Sequence, residues 1–499
     1  SNAVYHLLDE ITKNGQTTFL VVEPAKGEYK NVFGNRADVQ VFGTNPRETP
    51  LLRMNPFAFP ENIHILEHID RLVEIFNACW PMYAAMPAVL KDAIERSYQK
   101  VGWDLRNSES EKGIFPTFFD LLDILPGVIE ESHYSKDTQS DYVGALCTRV
   151  KSLTNGIYGS VLCAEDALTD EALFDRNVVV DLSRVGSMET KSLLMGILVM
   201  KLQEYRMCSS GMNSRLRHVT VLEEAHNLLR KTSAEQSQEG ANLQGKSVEM
   251  LANAIAEMRT YGEGFIIADQ APGLLDMSVI RNTNTKIILR LPDEEDRKLV
   301  GKSAALKEAQ IDELSKLPLG VAAVYQNEWP EAVLCKIEAY PMPENAVYHK
   351  PSKMPHEINA EFVFGQLAVG KELKPLSSSE MEQLKRWLKR HETMLKSGDS
   401  RYLEQVFAGG VLDEVKTRKA VFDFFGGIGT VVDYCAAAKK SLTPRKEFLE
   451  QLQGQYGLKA AAADWVLNSV ISMGMSLNPD AKAVDNLRTN FEQQGGRVL

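Results

Sequence analysis

The sequence contains no apolar run near the roughly 20 residues that a membrane-spanning helix needs. No signal peptide is visible at its start. Cysteine is scarce: Cys79, Cys147, Cys163, Cys208, Cys335 and Cys435 are the only six in 499 residues. They are scattered, and no two have the close spacing of a zinc site or redox motif. A disulfide scaffold is therefore excluded, and buried, reduced thiols in a cytoplasmic protein are expected. Positive charge is also in short supply, with a formal net charge of -11. That argues against a protein that coats nucleic acid through a basic surface. It leaves room for a ring that needs only a few basic residues along a pore. There is no convincing internal repeat and no long low-complexity tract.

What is present is apolar residue in quantity, 44% of the chain. That supports two or three folding units. Ser1-Asn2-Ala3 has the look of a scar left by tag removal, so the native sequence is expected to begin at Val4, partway through a unit. VYHLLDEITK has helical apolar spacing and is stopped by Asn14-Gly15. Phe19 to Val22 is a short continuous apolar run, as in a buried parallel strand. The chain thus opens on helix–strand, the second half of a β–α–β unit.

Residues 62–172 are mostly of helical period. Strand-like runs return as NVVVDLS, RHVTVLEEAH, GFIIADQ, TKIILRL and GVAAVYQ, with helical segments between the first of them. This alternation predicts an α/β fold with a doubly wound, mainly parallel sheet. The sequence therefore divides into a core over 4–61 and 173–342, a helical insertion over 62–172, a proline-containing linker over 343–355 and a helical C-terminal domain over 356–499.

The local signal for chemistry is HVTVLEEAH, a buried strand with two carboxylates at its C-terminal end. In open parallel sheets ligands sit at that edge. Phosphoryl transfer to water needs Mg²⁺ and an oriented water. Adjacent acids can divide that work, Glu223 holding Mg²⁺ through water and Glu224 polarising the attacking water. Two glutamates where a strand gives way to a helix also arise simply as partners of the helix dipole. The next strand ends in Asp269 and Gln270, beside the same nucleotide position. Gln270 is a candidate to touch a γ-phosphate and the water, or else an ordinary cap of the following turn. Arg259 precedes that strand and is placed to act as an arginine finger on a neighbour's nucleotide, or to sit at a helix C-terminus for the dipole alone. Arg281 and Arg290 are weaker alternatives for that role.

FLVVEPAKGEY, VVVDLSRVGSMETKSLLMGIL, VTVLEEAHNLL, IAEMRTYGEGFIIADQAP and NTNTKIILRLPDEEDRKLVG occur in this order. Together they resemble the HerA/FtsK class of P-loop motors, and most of all the HerA-type bacterial ATPases, over roughly residues 4 to 340. CWPMYAAMPAVLKDAIERSY, GWDL and FPTFFDLL resemble the insertion many of these ATPases carry. The resemblance implies a RecA-like fold, ATP and Mg²⁺ as ligands, a hexameric ring and translocation of double-stranded DNA. It assigns Glu223 as the Walker B acid, Glu224 as the catalytic glutamate, Gln270 as the polar residue after the next strand and Arg259 as the arginine of the R-x-Y-G segment. A nuclease or other effector is the expected partner, in DNA processing or defence against foreign DNA. Two alternatives stay open: a non-catalytic scaffold ring, and a type IV secretion-like ATPase.

The family's glycine-rich loop with its Lys-Ser/Thr, which cradles phosphates, should stand just ahead of VYHLL and is not in the sequence there. No second such loop is expected elsewhere, so the chain alone should hydrolyse little ATP. FFGGIGTVVD is glycine-rich but lacks the lysine and reads as a helix break. The loop from Arg230 to Lys246 is either a mobile solvent loop or a pore loop whose Arg230, Lys231 and Lys246 contact DNA phosphates. SLTPRKEFLEQLQGQYGLKAAAADWVLNSVISMG suits either a helix-turn-helix or a docking surface, with Lys439, Lys440, Arg445 and Lys446 as a modest basic cluster.

Overall fold

A computed structural model describes the chain apart from residues 14, 84, 111–112, 165–166, 233–242, 343–345, 351–357, 370–372, 374, 377, 392–393, 442 and 499. It divides into two compact units, Ser1–Lys350 and Pro351–Leu499. The linker expected over 343–355 falls largely on residues outside that description.

The centre of the first unit is a five-stranded sheet. Its strands are β1 (Thr18–Glu23), β2 (Val39–Gly43), β5 (Asn177–Asp181), β6 (His218–Glu223) and β7 (Glu263–Ala268), in the order β2-β5-β1-β6-β7. Every neighbouring pair is parallel. Trp103–Asp104 and Glu109–Ser110, β3 and β4, form a two-residue hairpin elsewhere. The continuous apolar runs are explained by burial on both faces. Phe19, Val21, Val179 and Val221 point to one side, where they meet Val4, Tyr5 and Leu8 of α1 (Asn2–Thr12) and Tyr29 and Phe33 of α2 (Tyr29–Phe33). Leu20, Val22, Val178, Val180 and Leu222 point to the other side, the period-2 alternation of a strand. There α3 (Ile65–Cys79) packs against the helices Met188–Ser209 and Leu243–Glu257. Residues 62–172 do not form a separate core: one apolar cluster runs from β1 through α3 to Leu162.

Two of the six expected strands take a different place. TKIILRL and GVAAVYQ supply β8 (Thr285–Ile288) and β9 (Val321–Gln326), which pair antiparallel with each other. With β10 (Val333–Lys336) they make a separate three-stranded sheet. A short apolar run specifies a strand but not its partner. β2 and β10 are further strands that the sequence did not announce, because VQVFG and VLCK are too short and mixed to stand out.

The second unit is helical and has its own core, from Ile358 to Phe491. The FFGGIG segment is a helix break as expected: Glu414–Phe424 and Gly427–Ala438 meet at a 70° bend, with Gly426 and Gly427 at φ 89° and 58°. The helix Ala460–Leu477 buries Ala463, Val466, Leu467, Val470 and Ile471. It is a core element, and its middle is not offered to a DNA groove. Arg445 is paired with Asp464 of that helix. Among the described residues no single helix is long and apolar enough to cross a membrane. All six cysteines are free, and burial pushes the Cys79 thiol up to about 12.

Candidate functional site

The site lies at the C-terminal edge of the five-stranded sheet. The register sets Glu23 level with Asp181, Val22 with Leu222 and Glu223 with Ala268. Asp181, Glu23 and Glu223 therefore stand in one row across three strand ends, with Glu224 and Asp269 one residue beyond.

Glu223 closes β6, and one of its carboxylate oxygens accepts a hydrogen bond from the Tyr29 hydroxyl. Burial and the Glu223 charge push the Tyr29 phenol far above its ordinary range, so it stays a donor. Glu224 follows with φ 45° and ψ 50°, a left-handed conformation that costs a non-glycine residue energy. The turn aims its carboxylate at the neighbouring strand end, where the Gln270 amide donates to it. The structure thus brings Glu223, Glu224 and Gln270 together. Asp269 is oriented differently from a free ligand. Its Oδ2 accepts from the His226 backbone N–H at 2.9 Å and lies 2.9 Å from His226 Nδ1, while its Oδ1 accepts from the Ala271 N–H. It ties the two strand-end turns to each other. Glu224, His226 and Asp269 present ligand atoms within 4.8 Å of one another.

Arg259 is not brought to this group. It sits in a 3-10 turn ahead of β7, whereas Gln270 follows β7's other end. Six residues of strand separate the two by about 20 Å at ~3.3 Å each. Gly262 makes the turn possible: its φ is 79°, and a Cβ there would stand 2.3 Å from the Arg215 carbonyl oxygen. Arg230, Lys231 and Lys246 are all exposed, and residues 233–242 between them lie outside the described residues.

Four neighbours of this group, Glu23, Tyr29, Lys30 and Asp181, were not singled out from the sequence. Glu23 is 3% exposed, and burial pushes its carboxyl up to about 7 against the pull of two backbone N–H donors. Those donors, from Glu28 and Tyr29 at 2.8 and 3.0 Å, hold the loop that presents Tyr29. Lys30 bridges Asp181 at 2.6 Å and Glu48 at 3.0 Å. The signal was available, since FLVVE and VVVD end in acids just as VTVLEE does.

The expectation that no phosphate-loop string stands elsewhere is wrong as to spacing. Gly240-Ala241-Asn242-Leu243-Gln244-Gly245-Lys246-Ser247 fits G-x-x-x-x-G-K-S. Its setting is not that of a phosphate loop. Among the described residues the last strand before it closes at Glu223, and Leu243, Gln244, Gly245, Lys246 and Ser247 lie in the first turns of the helix Leu243–Glu257. Ser247 is buried and its hydroxyl donates to Glu74 at 2.5 Å, while Gln244 is tied to the Ala78 carbonyl.

The site's oxygen donors suit a hard divalent cation held partly through water. Glu223 keeps one carboxylate oxygen not engaged by Tyr29, and Glu224 adds a second carboxylate next to it, whereas both oxygens of Glu23 and of Asp269 already accept from backbone N–H groups. Bound there, such a cation supplies charge neutralisation for a polyphosphate.

No family model matches the chain. A stretch of 123 residues is 30% identical to a probable helicase of Methanocaldococcus jannaschii, covering 24% of this chain and 22% of that protein. A stretch of 124 residues is 32% identical to the DNA double-strand break repair helicase HerA of Sulfolobus acidocaldarius, covering 24% of this chain and 23% of that one. The chain thus spans less than a quarter of the length of these curated relatives. Among solved structures, VirB4 of Thermoanaerobacter pseudethanolicus superposes with a TM-score of 0.50 at 18% identity, over 68% of this chain and 86% of that one. At that identity the likeness is one of fold. The parallel sheet, with acids in order at its strand ends, has the expected RecA-like fold, and the matched quarter of the chain is similar to helicases of the HerA type.

Proposed function

We propose that this chain is the acid-bearing part of an ATP-driven DNA translocase, a helicase-like motor of the HerA/FtsK class. The observation that carries the proposal is the Glu224–Gln270 hydrogen bond between adjacent strand ends, beside a Glu223 held by Tyr29. A water placed between Glu224 and a terminal phosphate has its proton acceptor in the Glu224 carboxylate. Gln270 fixes that carboxylate and offers its remaining amide atoms to the water or phosphate. Glu223 would hold Mg²⁺ through water, which would supply charge neutralisation, and Asp269 keeps the two turns in register. ATP is the substrate, and Mg²⁺ its counter-ion.

In this proposal the motor is a homo-oligomeric ring, hexameric in its family, acting on double-stranded DNA in the cytoplasm. Arg230, Lys231 and Lys246 contact phosphates in the pore, which positions DNA without reading its sequence. Arg259 reaches the nucleotide of a neighbouring subunit. The ring works with a nuclease or another effector, in DNA processing or in defence against foreign DNA.

The test is ATP turnover by protein that carries a phosphate loop ahead of VYHLL, with and without double-stranded DNA. Turnover stimulated by DNA and abolished by Glu224→Gln is expected, with turnover by the 499-residue chain alone close to background. Robust turnover by that chain, lost in Glu224→Gln, would overturn the need for an upstream loop. Inert protein with the loop in place would leave a scaffold ring instead.

A further inference from the structure

The turns that follow β6 and β7 bring three ligand-bearing side chains to one point. His226 Nδ1 lies 2.9 Å from Asp269 Oδ2 and 3.6 Å from Glu224 Oε2, and the ligand atoms of all three fall within 4.8 Å of one another. Among the described residues no other group of three or more His, Cys, Asp or Glu side chains converges in this way. The charge there is one-sided. Among the described residues the ion-pair partner of both Glu224 and Asp269 is His226, with no Lys or Arg on either carboxylate. The three side chains are also largely withdrawn from water, 17%, 21% and 3% exposed for Glu224, His226 and Asp269. Two partly buried carboxylates that face one imidazole favour a cation between them.

The ligand set is one that zinc takes. Zinc sites combine imidazole and carboxylate from three side chains with water in the fourth position. Bonds of about 2.0 Å at tetrahedral angles put neighbouring ligand atoms about 3.3 Å apart. The 2.9 and 3.6 Å spacings bracket that value, and the Glu224 carboxylate is the arm that closes the third edge. Hydrogen bonds already orient the ligands, as they do in metal sites generally. The Gln270 amide holds Glu224 Oε1, which leaves Oε2 to the imidazole side. Backbone N–H groups of His226 and Ala271 hold the two Asp269 oxygens, and a carboxylate oxygen that accepts one such bond keeps a second lone pair for an ion. Mg²⁺ is disfavoured at this point, because it is a hard ion that takes oxygen and keeps its waters, whereas imidazole suits zinc.

We propose that Glu224, His226 and Asp269 bind one Zn²⁺ ion per chain, at a point distinct from the Mg²⁺ position at Glu223, and that filling this site switches Glu224 off. With Oε2 bound to zinc and Oε1 held by Gln270, the carboxylate has no oxygen left to take a proton from water. The switching half rests on the reading of Glu224 as the proton acceptor in turnover. The binding half rests only on the three side chains and the groups that orient them.

Isothermal titration of the metal-free 499-residue chain with ZnCl₂, in a large excess of Mg²⁺, tests the site. One Zn²⁺ per chain is expected. The affinity should fall by roughly tenfold or more in His226→Ala and in Glu224→Gln, and by about tenfold in Gln270→Ala, which loses only the orienting amide. Co²⁺ in place of Zn²⁺ should give a visible absorption band in the wild-type chain that is missing from His226→Ala, a signal that a purely structural histidine would not move. Circular dichroism checks that each variant is folded. Absence of binding would overturn the proposal, as would binding that Mg²⁺ displaces. Binding of equal strength in His226→Ala and Glu224→Gln would overturn it too, since the ion would then sit elsewhere, on thiols or surface carboxylates. In protein with a phosphate loop, ATP turnover should fall as Zn²⁺ fills the site and return on adding a zinc-selective chelator. Unchanged turnover with the site filled would overturn the switching half. The titration uses no nucleotide, so an inert motor leaves the zinc site standing, and a chain that binds no Zn²⁺ leaves the motor proposal standing.

Discussion

Glu224 concentrates the cost and the chemistry of the site in one residue. Its left-handed backbone is a strain that a glycine would not feel. Glu224→Gly should therefore raise the stability of this chain by about 1 kcal/mol, while Glu224→Gln, which keeps the Cβ, should leave it nearly unchanged; urea unfolding measures both. A stabilised glycine variant that has lost turnover would show that the conformation is kept for its carboxylate. Glu23 gives a pH signature of opposite character to an ordinary ion-paired acid. Its folded-state pKa lies above the unfolded value, at about 7. The stability it contributes is complete below the unfolded pKa of an ordinary glutamate and is lost as pH rises through 7. Wild-type chain should thus lose stability between about pH 5 and 7 relative to Glu23→Gln, by on the order of 3 kcal/mol at most, as thermal melts at several pH values will show. Tyr29→Phe removes the donor to Glu223. In protein with a phosphate loop it should raise the Mg²⁺ concentration needed for half-maximal turnover several-fold and change kcat less.

At the scale of elements, the sheet is pinned at its N-terminal side by a buried network that no motif announced. Glu263 of β7 accepts from Arg206 at 2.9 Å and Thr220 at 2.8 Å and lies 2.7 Å from His218 Nδ1. Burial raises its carboxyl, but His218 and Arg206 outweigh burial and hold it below the usual range. Glu263→Gln removes one of the two carboxylates paired with the buried Arg206, Asp175 being the other, and should cost up to about 3 kcal/mol, read by denaturant unfolding at pH 7. These contacts were illegible in the sequence because their partners are tens of residues apart and differ in element. What was legible followed from short-range rules: apolar runs gave β1, β5, β6 and β7, and acids at strand ends gave Glu223 and Glu224. Tyr29 was hidden because it belongs to a five-residue helix and acts across two strands. β8 and β9 were visible as strands but not as a separate sheet, since pairing depends on what lies between them in space.

On the scale of the whole molecule, the two units have separate cores, and the second is built only from residues from Ile358 onward. Residues 351–499 expressed alone should therefore give a helical circular-dichroism spectrum and a cooperative melt of their own. If the chain binds DNA as proposed, its overall charge of -11 leaves that to a few local cations, and the affinity should fall only shallowly with salt, by a slope of about one per phosphate contacted. The distance between the two ends of β7 has one more consequence, and it is genetic. Glu224 follows the C-terminal end of β6, level with the end of β7, and Arg259 precedes the start of β7, so within one subunit they stand about a strand's length apart along the cavity both of them line. If a neighbour supplies the arginine, Glu224→Gln and Arg259→Ala are lesions in different halves of a shared junction. Co-expressed, the two dead alleles should complement each other in part, because some junctions draw a sound glutamate from one and a sound arginine from the other. Two alleles damaged at the same end of the strand should never do so.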